Sequence, residues 1–387
     1  MAMAIQALTF LQEYFYESGH KIRKNDNALR IGVLSTAMIN PAAILRPADS
    51  HGDVIISAIA SRDLKQAQKA AKSYGIPQAF GSYEELLREP GIDAVYISLP
   101  NGMHAAWAAK ALDAGKHVLL EKPFTANADE AKSLVALAKS KNLVLVEAFH
   151  WQWHPASHTV KALLASGKYG NILSTYARMT TPVGTMPKAN IRWKYDLAGG
   201  SLMDMTYVVS STRYFLDAGA PKEVVWAKAR PAKEDSRVDE AMEAVLKFEV
   251  GSTGRVVESK VYTDMARENV AWVVPRIWEL PSIEIETEKA TIYYYNFMMP
   301  HLYHYIAITD KATGHTSYTK AYQGGPLWGT RGESWWSTYR WQLEAFVDKV
   351  RGKEPVHWVT LESSIAQMET LDAVYEKSGL GKRPGHQ

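Results

Sequence analysis

The strongest evidence for the fold of this chain is a series of short apolar segments separated by helix-length segments. The apolar segments lack the polar alternation of half-buried strands, which is typical of strands buried on both faces of a parallel sheet. Repeated strand–helix–strand units with right-handed crossovers give a doubly wound sheet. The predicted strands are Leu29–Leu34, Val54–Ala60, Ala94–Ile97, His117–Leu120 and Leu143–Val146.

After Trp151 the pattern changes to longer segments in which apolar and polar residues alternate. Such alternation is typical of antiparallel strands with one covered face. The fold class is therefore α/β, an N-terminal Rossmann sheet followed by an α+β domain with a large, mostly antiparallel, open-faced sheet. The predicted strands are 172–179, 223–230, 242–250, 254–262, 282–296 and 303–308, and the predicted helices are 155–166, 201–215, 335–351 and 361–377.

The length of 387 residues is too great for one ordinary core, so more than one domain is expected. We predict an N-terminal extension at 1–28 with a short amphipathic helix at 5–16, a nucleotide-binding domain at 29–151 and a substrate and oligomerisation domain at 152–387.

Charge and cysteine content exclude several classes of function. The net charge of +3 and the dispersed Lys and Arg residues give no field that would attract nucleic acid or a membrane surface. The absence of cysteine excludes disulfides and thiolate chemistry, and it favours an intracellular protein. Residues 1–28 lack the regions of a signal peptide, and no apolar run has the length of a membrane span. We expect a cytoplasmic enzyme with a small-molecule substrate.

The segment Glu121-Lys122-Pro123 follows the predicted strand His117–Leu120. Ligands of open parallel sheets bind outside the carboxyl ends of the strands. A lysine at this place directs its ammonium group towards the reacting end of a bound cofactor, and the proline fixes the backbone of the turn. The pattern therefore predicts a catalytic role for Lys122 within the cofactor site.

The turn after the first strand is the candidate phosphate site. A dinucleotide fold usually has Gly-x-Gly-x-x-Gly or Ala here, whereas this chain has Ser35, Thr36, Ala37, Met38, Ile39 and Asn40. Small residues still allow close approach of the backbone, and the helix that begins at Pro41 supplies a partial positive charge. On the motif alone, an ordinary βα turn without a ligand explains these residues equally well.

The end of the second strand favours NADP over NAD. An NAD-selective sheet usually has Asp or Glu at this position to bind the ribose hydroxyls, whereas this chain has Ser61 and Arg62. A hydroxyl and a guanidinium suit a 2′-phosphate, and Arg62 can also stack on adenine. Asp63 is better explained as a helix cap. The alternative is that Arg62 is a solvated surface residue.

The segment Leu99, Pro100, Asn101 and His104 follows the strand Ala94–Ile97, beside the predicted cofactor cleft. Asn101 also suits a helix cap. His104 lies in the first turn of a helix, whose dipole lowers the pKa of the imidazole. A packing role on the cofactor side is favoured over acid–base chemistry.

These segments together resemble the glucose-fructose oxidoreductase/inositol dehydrogenase (Gfo/Idh/MocA) family. The likeness is greatest to the branch of NADP-dependent D-xylose dehydrogenases and dimeric dihydrodiol dehydrogenases, particularly fungal members, and it extends over nearly the whole chain from Leu29. The segments that carry it are Gly32-Val33-Leu34-Ser35-Thr36-Ala37, Ala58-Ile59-Ala60-Ser61-Arg62-Asp63, Leu99-Pro100-Asn101-Gly102-Met103-His104, Glu121-Lys122-Pro123, Glu147-Ala148-Phe149, His154-Pro155, Gly199-Gly200-Ser201-Leu202-Met203-Asp204 and Tyr339-Arg340-Trp341-Gln342-Leu343-Glu344-Ala345-Phe346.

The resemblance implies NADP as the cofactor and association of two or four subunits through the exposed sheet face. It assigns the catalytic lysine to Lys122 and its partner aspartate to Asp204. The aromatic partner usually lies four residues after the aspartate, where this chain has Val208. We assign that role to Tyr207, three residues after Asp204, because both spacings keep a side chain on one helix face.

The resemblance also places Gln152, His154, Arg192 and Tyr207 on the substrate side. Many relatives have arginine in the segment that contains Gln152, so the likeness transfers no substrate specificity.

The predicted reaction is hydride transfer between nicotinamide and a sugar-like carbinol, with oxidation of an aldose such as D-xylose at C1 as the first choice. In one version Tyr207 exchanges the proton while Lys122 orients the substrate oxygen, and Asp204 bonds the substrate or fixes the tyrosine. The lysine cation is then expected to lower the pKa of the phenol. In the other version Lys122 takes the proton directly.

Other functions remain open at this point. They are trans-dihydrodiol oxidation, reduction of a dicarbonyl or ketosugar, oxidation and reduction on tightly held NADP, and a non-catalytic NADP-sensing regulator. A sensor needs neither Lys122 nor Tyr207, which argues against the last.

Histidines at 150, 154 and 158 have a spacing that could form a metal-binding helix face. Pro155 interrupts such a helix and no carboxylates accompany the histidines, so no metal site is predicted. His301 and His304 are expected at the surface. The indoles of residues 335, 336 and 341 are more simply explained as helix core or dimer interface than as a sugar platform.

Overall fold

A six-stranded parallel sheet organises the first half of the chain. The computed structural model describes residues 20–251 and 253–385, and the predicted helix at 5–16 lies outside them. The strands are β1 (Leu29–Leu34), β2 (Val54–Ala60), β3 (Gln78–Phe80), β4 (Ala94–Ile97), β5 (His117–Leu120) and β6 (Leu145–Glu147). Their order is β3-β2-β1-β4-β5-β6, the doubly wound order of a dinucleotide-binding sheet. The predicted sheet is confirmed.

Helices connect these strands where the capping signals predict them. The Asp63 side chain accepts from the amide of Lys65 at 2.9 Å, and Gly75 ends the same helix with a left-handed φ of 69°. The helices of this half are α1 (Arg46–Asp49), preceded by the helical turn Pro41–Leu45, α2 (Leu64–Tyr74), α3 (Tyr83–Arg88), α4 (His104–Asp113) and α5 (Ala128–Lys141).

An eight-stranded sheet organises the second half. The strands are β7 (Ile172–Pro182), β8 (Glu223–Pro231), β9 (Asp239–Glu249), β10 (Val256–Arg267), β11 (Ser282–Thr287), β12 (Ala290–Tyr295), β13 (Tyr305–Asp310) and β14 (Thr316–Thr319). Their order is β14-β13-β12-β11-β7-β10-β9-β8, and every neighbouring pair except β7–β10 is antiparallel. The predicted continuous segment 282–296 is wrong, since the chain reverses between β11 and β12, where Thr287 Oγ1 donates to Ala290 O at 2.7 Å.

Helices cover one face of this sheet and reach across to the first one. They are α6 (Pro155–Ala165), α7 (Ser201–Asp204), α8 (Tyr207–Leu216), α9 (Gly325–Trp328), α10 (Thr338–Val350) and α11 (Leu361–Lys377). Ala128 at the start of α5 donates its amide to Asp372 in α11 at 3.0 Å, so the last helix joins the two halves. The domain boundaries at 28/29 and 151/152 stay a prediction.

The predicted helix 201–215 is interrupted between α7 and α8. Gln367 of α11 donates its amide nitrogen to the carbonyl (3.1 Å) and the hydroxyl (2.7 Å) of Thr206. The amide of Val208 bonds a carbonyl three residues earlier rather than that of Asp204. The carbonyl of Asp204 is therefore released from the helix and can accept a different donor.

Buried aromatic and imidazole groups surround helix α10. Trp341 in α10 is buried, which agrees with a role as helix core. Trp336 is buried too, but it precedes α10, which begins at Thr338 rather than at the predicted residue 335. The expectation that His301 and His304 lie at the surface is wrong, because they are only 5% and 0% exposed. His304 is held from both sides, by Pro300 O at 2.7 Å and by the amide of Ala321 at 3.0 Å.

Within residues 20–251 and 253–385, every helix is too short or too polar to reach across a lipid bilayer.

Candidate active site

Lys122 lies at the carboxyl end of β5, and its ammonium group meets the break between α7 and α8. Nζ donates to the released carbonyl of Asp204 at 2.9 Å and lies 3.3 Å from the carboxylate oxygen Oδ1 of the same residue. The same Nζ is 5.0 Å from the ring centroid of Tyr207. The structure thus brings together the three residues that the sequence predicts as catalytic.

Asp204 joins two cations. The Arg192 Nε atom is 2.6 Å from Asp204 Oδ1, on the same oxygen that faces Lys122. Burial alone would raise the pKa of this carboxyl, but the guanidinium and the ammonium together hold it at about 2. Asp204 is therefore a carboxylate throughout the neutral range, and the group of three carries one net positive charge.

Gly199 makes room for Arg192. A Cβ atom at position 199 would lie 2.4 Å from the Arg192 carbonyl oxygen and 2.8 Å from that of Lys194. Only glycine fits at such a distance from two backbone carbonyls, so the Gly-Gly segment sets the position of the arginine as well as the start of α7.

Tyr207 is a buried, neutral phenol. Its hydroxyl is 3.0 Å from His150 Nε2, and its side chain is only 4% exposed. Burial raises the pKa of Tyr207 well above its usual value. The expectation that Lys122 lowers this pKa is therefore wrong, because loss of hydration outweighs the nearby cation. Val208, at the usual family spacing, is fully buried in the apolar core instead.

His150 is the member of this group that the sequence reasoning missed. It lies in the turn His150–Trp153, and its Nδ1 atom is 2.8 Å from the Thr338 hydroxyl. Burial lowers the pKa of His150 well below its usual value, so the ring is neutral. The sequence pattern drew attention to this histidine only through a metal-like spacing. Nothing local in the sequence links it to Tyr207 or Thr338.

His104 fixes the Lys-Pro turn from behind. Its Nδ1 atom is 2.7 Å from Pro123 O and its Nε2 atom is 2.9 Å from Leu99 O, so the ring joins the ends of β4 and β5. Burial, more than any other cause, lowers the pKa of His104 to about 4. The neutral ring has a single N–H and donates to one of these two carbonyls, which suits packing and positioning.

Two buried carboxyl groups support the same turn. Glu121 accepts a hydrogen bond from the Tyr96 hydroxyl at 2.6 Å and one from the Lys122 amide at 3.2 Å. Glu147, at the end of β6, accepts from the amide of Phe124 at 2.9 Å. Burial raises the pKa of Glu147 to about 8. The backbone on both sides of Lys122 is therefore fixed by side chains from neighbouring strands.

The turn after β1 keeps donors free for an anion. Ser35 has a φ of 129°, a region that favours glycine, and Asn40 holds it there by donating its side-chain amide to Ser35 O at 2.9 Å. In the part of the chain that the structure describes, the amides of Thr36, Met38 and Ile39 donate to no protein acceptor. A cavity of about 290 Å³ opens beside this turn. Free amides at the start of a helix are the chemistry that binds phosphate.

The end of β2 offers a hydroxyl and a guanidinium and no available carboxylate. Ser61 is buried and accepts from the amide of Asp63 at 3.3 Å, while Arg62 is exposed and its guanidinium interacts with the Tyr83 hydroxyl. Asp63 is used as the cap of α2, as predicted. This donor set fits the 2′-phosphate of NADP better than the free ribose hydroxyls of NAD.

The turn after β4 contacts the second half of the chain. The side chain of Asn101 donates to Ala198 O at 3.1 Å rather than capping its own helix, where Pro100 occupies the cap position. A Cβ atom at Gly102 would lie 3.2 Å from the backbone of Leu197. This turn therefore joins the nucleotide side of the cleft to the segment that precedes Asp204.

Gln152 and His154 lie in the protein interior. The Gln152 amide donates to the Ser210 hydroxyl at 3.1 Å, and its oxygen is 3.1 Å from His357 Nε2. His154 caps α6 by accepting from the amide of Ala156 at 3.2 Å. These contacts hold secondary structure together, so a substrate-binding role for the two residues stays a prediction that no contact supports.

Comparison with protein-family models gives two matches. The model of the GFO_IDH_MocA oxidoreductase family, NAD-binding Rossmann fold, matches residues 29–149, and the GFO/IDH/MocA C-terminal domain matches residues 157–292.

Curated proteins and solved structures resemble the chain over most of its length. D-xylose 1-dehydrogenase (NADP(+)) 2 of Haloferax volcanii is 34% identical over 356 residues, covering 91% of this chain and 98% of that protein. Trans-1,2-dihydrobenzene-1,2-diol dehydrogenase of Xenopus laevis is 30% identical over 260 residues, covering 66% of this chain and 76% of that protein. The crystal structure of a 3-ketoreductase from Actinomadura kijaniata with NADP and TDP-benzene gives a TM-score of 0.74 at 26% identity, covering 91% and 98% of the two chains.

Proposed function

Because the chain belongs to the GFO/IDH/MocA oxidoreductase family, we propose that it is an NADP-dependent dehydrogenase that oxidises an aldose such as D-xylose at C1 to the lactone. The family predicted from the sequence is confirmed. The observation that carries the proposal is the meeting of Lys122, Asp204 and Tyr207 at the carboxyl end of β5. The similarity to an NADP-dependent D-xylose dehydrogenase, which extends over almost its whole length, supports the choice of substrate.

The cofactor site consists of three parts along the edge of the parallel sheet. The free amides of Thr36, Met38 and Ile39 would bind the pyrophosphate, and Ser61 with Arg62 would bind the 2′-phosphate. The turn from Glu121 to Pro123, with Lys122 at its centre, would face the nicotinamide. When bound, NADP⁺ supplies the acceptor for the hydride that leaves the carbinol carbon.

The ionic group formed by Lys122, Asp204 and Arg192 stabilises negative charge on the substrate oxygen. Lys122 is held by the carbonyl and the carboxylate of Asp204, so its direction is fixed before the substrate arrives. Its ammonium group can donate to the carbinol oxygen and stabilise the negative charge that develops there as the C–H bond breaks. Tyr207, beside it, can accept the hydroxyl hydrogen through its phenol oxygen. The alternative, in which Lys122 takes the proton itself, uses the same geometry.

Reduction of a ketosugar is the second candidate, and it is favoured by the similarity to a 3-ketoreductase over 91% of this chain. The residues would act in reverse, with the proton delivered to the carbonyl oxygen of the substrate. Arg192 adds a second cation to the site through Asp204, and like Tyr207 it is a predicted substrate residue in contact with the catalytic group.

A substrate panel tests these alternatives. The purified protein is mixed with NADP⁺ or NAD⁺ and with D-xylose, other aldoses or a trans-dihydrodiol, and in a second series with NADPH and ketosugars or dicarbonyls, while the absorbance of NADPH is followed. We expect turnover of D-xylose with NADP⁺ and much weaker turnover with NAD⁺. Turnover of ketosugars alone would favour the second candidate. Tight NADP binding without any turnover would favour the sensing regulator instead.

We also propose that two or four subunits associate through the open face of the second sheet, and that the enzyme acts in the cytoplasm. Tyrosines from adjacent strands line this face, with the Tyr295 and Tyr305 rings stacked at a centroid distance of 4.9 Å and Tyr318 71% exposed beyond them. The absence of cysteine agrees with a reducing compartment. Light scattering of the purified protein and of a Tyr305→Glu variant tests the interface: loss of the oligomer in the variant is the expected result.

A further inference from the structure

Four side chains form a continuous hydrogen-bonded chain that leads away from the active site. The Tyr207 hydroxyl is 3.0 Å from His150 Nε2, and His150 Nδ1 is 2.8 Å from the Thr338 hydroxyl. The Thr338 hydroxyl is in turn 3.3 Å from His301 Nδ1. All four residues are at most 5% exposed, so water does not compete for these contacts.

Every hydrogen in this series of hydrogen bonds points away from Tyr207 and towards His301. The backbone amide of Thr338 also points at His301 Nδ1, at 3.4 Å, and an amide can only donate, so this nitrogen is an acceptor. The Thr338 hydroxyl then donates its single hydrogen to His301 and must accept one from His150 Nδ1. That leaves His150 Nε2 without a hydrogen, as the acceptor for the hydroxyl of Tyr207.

We propose that Tyr207, His150, Thr338 and His301 form a proton relay that carries the substrate hydroxyl proton out of the active site. The inference rests on the proposed function, in which Tyr207 contacts the substrate oxygen. His301 lies in the connection between β12 and β13, next to Tyr303, which is 48% exposed. The relay therefore connects a buried phenol in α8 to a histidine in the loop between β12 and β13.

The transfer balances in atoms and charge. The substrate O–H bond breaks and a new O–H bond forms on Tyr207, whose own proton moves to His150 Nε2. The Nδ1 proton of His150 moves to the Thr338 oxygen, and the hydroxyl proton of Thr338 moves to His301 Nδ1. One proton reaches His301, while the carbon-bound hydrogen and its electron pair leave as the hydride that NADP⁺ accepts.

The relay explains how a phenol that does not ionise can serve as a base. Burial raises the pKa of Tyr207 and lowers that of His150, so both groups are neutral. A neutral phenol can take the substrate proton only if it releases its own at the same moment, and His150 Nε2 is positioned to receive it.

A pair of Thr338 variants tests the relay. Thr338→Val keeps the shape of the side chain and removes the hydroxyl, whereas Thr338→Ser keeps the hydroxyl. We expect Thr338→Val to slow single-turnover NADPH formation at least ~10-fold and to reduce its solvent deuterium isotope effect, and Thr338→Ser to recover most of the lost rate. NADP binding, followed by tryptophan fluorescence, is expected to stay as in the unchanged protein. His158→Gln, a change at a buried histidine outside the relay, is the matched control.

The outcomes separate the relay from the proposed function. Equal rates in Thr338→Val and Thr338→Ser, together with loss of activity in Tyr207→Phe, would overturn the relay and leave the proposed function intact. Full activity in Tyr207→Phe would overturn the proposed role of the tyrosine itself. If Thr338→Val does not fold, His301→Gln, in a loop, interrupts the same relay and carries the same expectation.

The tautomers of His150 and His301 test the relay without any turnover. Nitrogen-15 NMR of the substrate-free protein is expected to show His150 protonated at Nδ1 and His301 protonated at Nε2. A His150 ring that carries its hydrogen on Nε2 would have the opposite donor and acceptor roles towards Tyr207 and Thr338, and this result would overturn the relay.

Discussion

The two ends of helix α8 carry nearly the same three residue types in nearly the same geometry. At its start, Lys122 lies 5.0 Å from the Tyr207 ring and 3.3 Å from a carboxylate oxygen of Asp204. At its end, Lys161 lies 5.1 Å from the Tyr214 ring and 3.4 Å from a carboxylate oxygen of Asp217. Each lysine also donates to a backbone carbonyl, Lys122 to that of Asp204 and Lys161 to that of Tyr214. A lysine, a tyrosine and an aspartate in contact are therefore not in themselves an active site.

The surroundings distinguish the two groups. Asp217 is 73% exposed, so water competes with Lys161 for its carboxylate. The Asp204 side chain is only 14% exposed and faces a second cation, Arg192, while the Tyr207 hydroxyl is hydrogen-bonded to His150. The first group also stands at the carboxyl ends of parallel strands, where a cofactor binds. The comparison indicates that burial, an extra charge and a route for protons turn a common contact into a reactive one.

The largest expected difference between the two ends is in turnover. Lys122→Met removes the ammonium group that stabilises the substrate oxygen, and we expect the turnover rate to fall ~10²–10⁴-fold while NADP still binds. Lys161→Met removes the matching lysine at the other end of α8, and we expect its turnover to stay as in the unchanged protein. Steady-state rates and NADP titrations of the two variants check this. Near-normal turnover in Lys122→Met would contradict both versions of the proposed mechanism.

The nucleotide-binding half of this arrangement could be predicted from the sequence. Short apolar runs and capping residues are local signals, and they located β5 and Lys122 because the carboxyl end of a parallel strand has a fixed function in this fold. The assignment of Tyr207 rather than Val208 came from the family resemblance and from helix-face spacing, and it assumed an unbroken helix. The break depends on Gln367, whose side chain reaches Thr206 from a helix far along the chain. The hydrophobic periodicity of the sequence does not predict such a contact.

The proton-carrying side of the site could not be predicted for the same reason. His150 and Thr338 are 188 positions apart, and their hydrogen bond exists only because α10 packs beside the turn His150–Trp153. Hydrophobic patterns encode which residues are buried, but they do not encode which buried polar groups are partners. The prediction that His301 lies at the surface is wrong because its loop passes beneath α10. The sequence of this segment is typical of an exposed loop, but tertiary packing buries it.

A smaller difference is expected in stability. The pKa of Asp204 in the folded protein, about 2, is below its ordinary value of ~3.9, so its charged form stabilises the fold by on the order of 2 kcal/mol at neutral pH. That contribution is complete above the ordinary pKa and is lost as the pH falls towards about 2. Asp204→Asn should therefore lower the free energy of unfolding at neutral pH and have little effect in strong acid. Urea unfolding at several pH values measures this.

The exposed carboxylate is the matched control for that change. Asp217→Asn should alter the free energy of unfolding by no more than a few tenths of a kcal/mol at any pH, because exposed ion pairs contribute little. Equal losses in Asp204→Asn and Asp217→Asn would show that burial does not distinguish the two ends of α8.

The smallest expected effect concerns the arginine that only the first group possesses. The guanidinium of Arg192 contributes most to lowering the pKa of Asp204, ahead of Lys122. Arg192→Met should raise that pKa towards its ordinary value, so the loss of stability in acid should begin at a higher pH, whereas Arg192→Lys should move it back. The side chain of Arg192 is 37% exposed, so part of its effect is screened by water and salt, and the shift should shrink as ionic strength rises. An NMR titration of the Asp204 carboxyl in the two variants measures the shift directly. An unchanged pKa in Arg192→Met would mean that Lys122 alone keeps the carboxylate ionised, and the two ends of α8 would then differ in burial and proton transfer only.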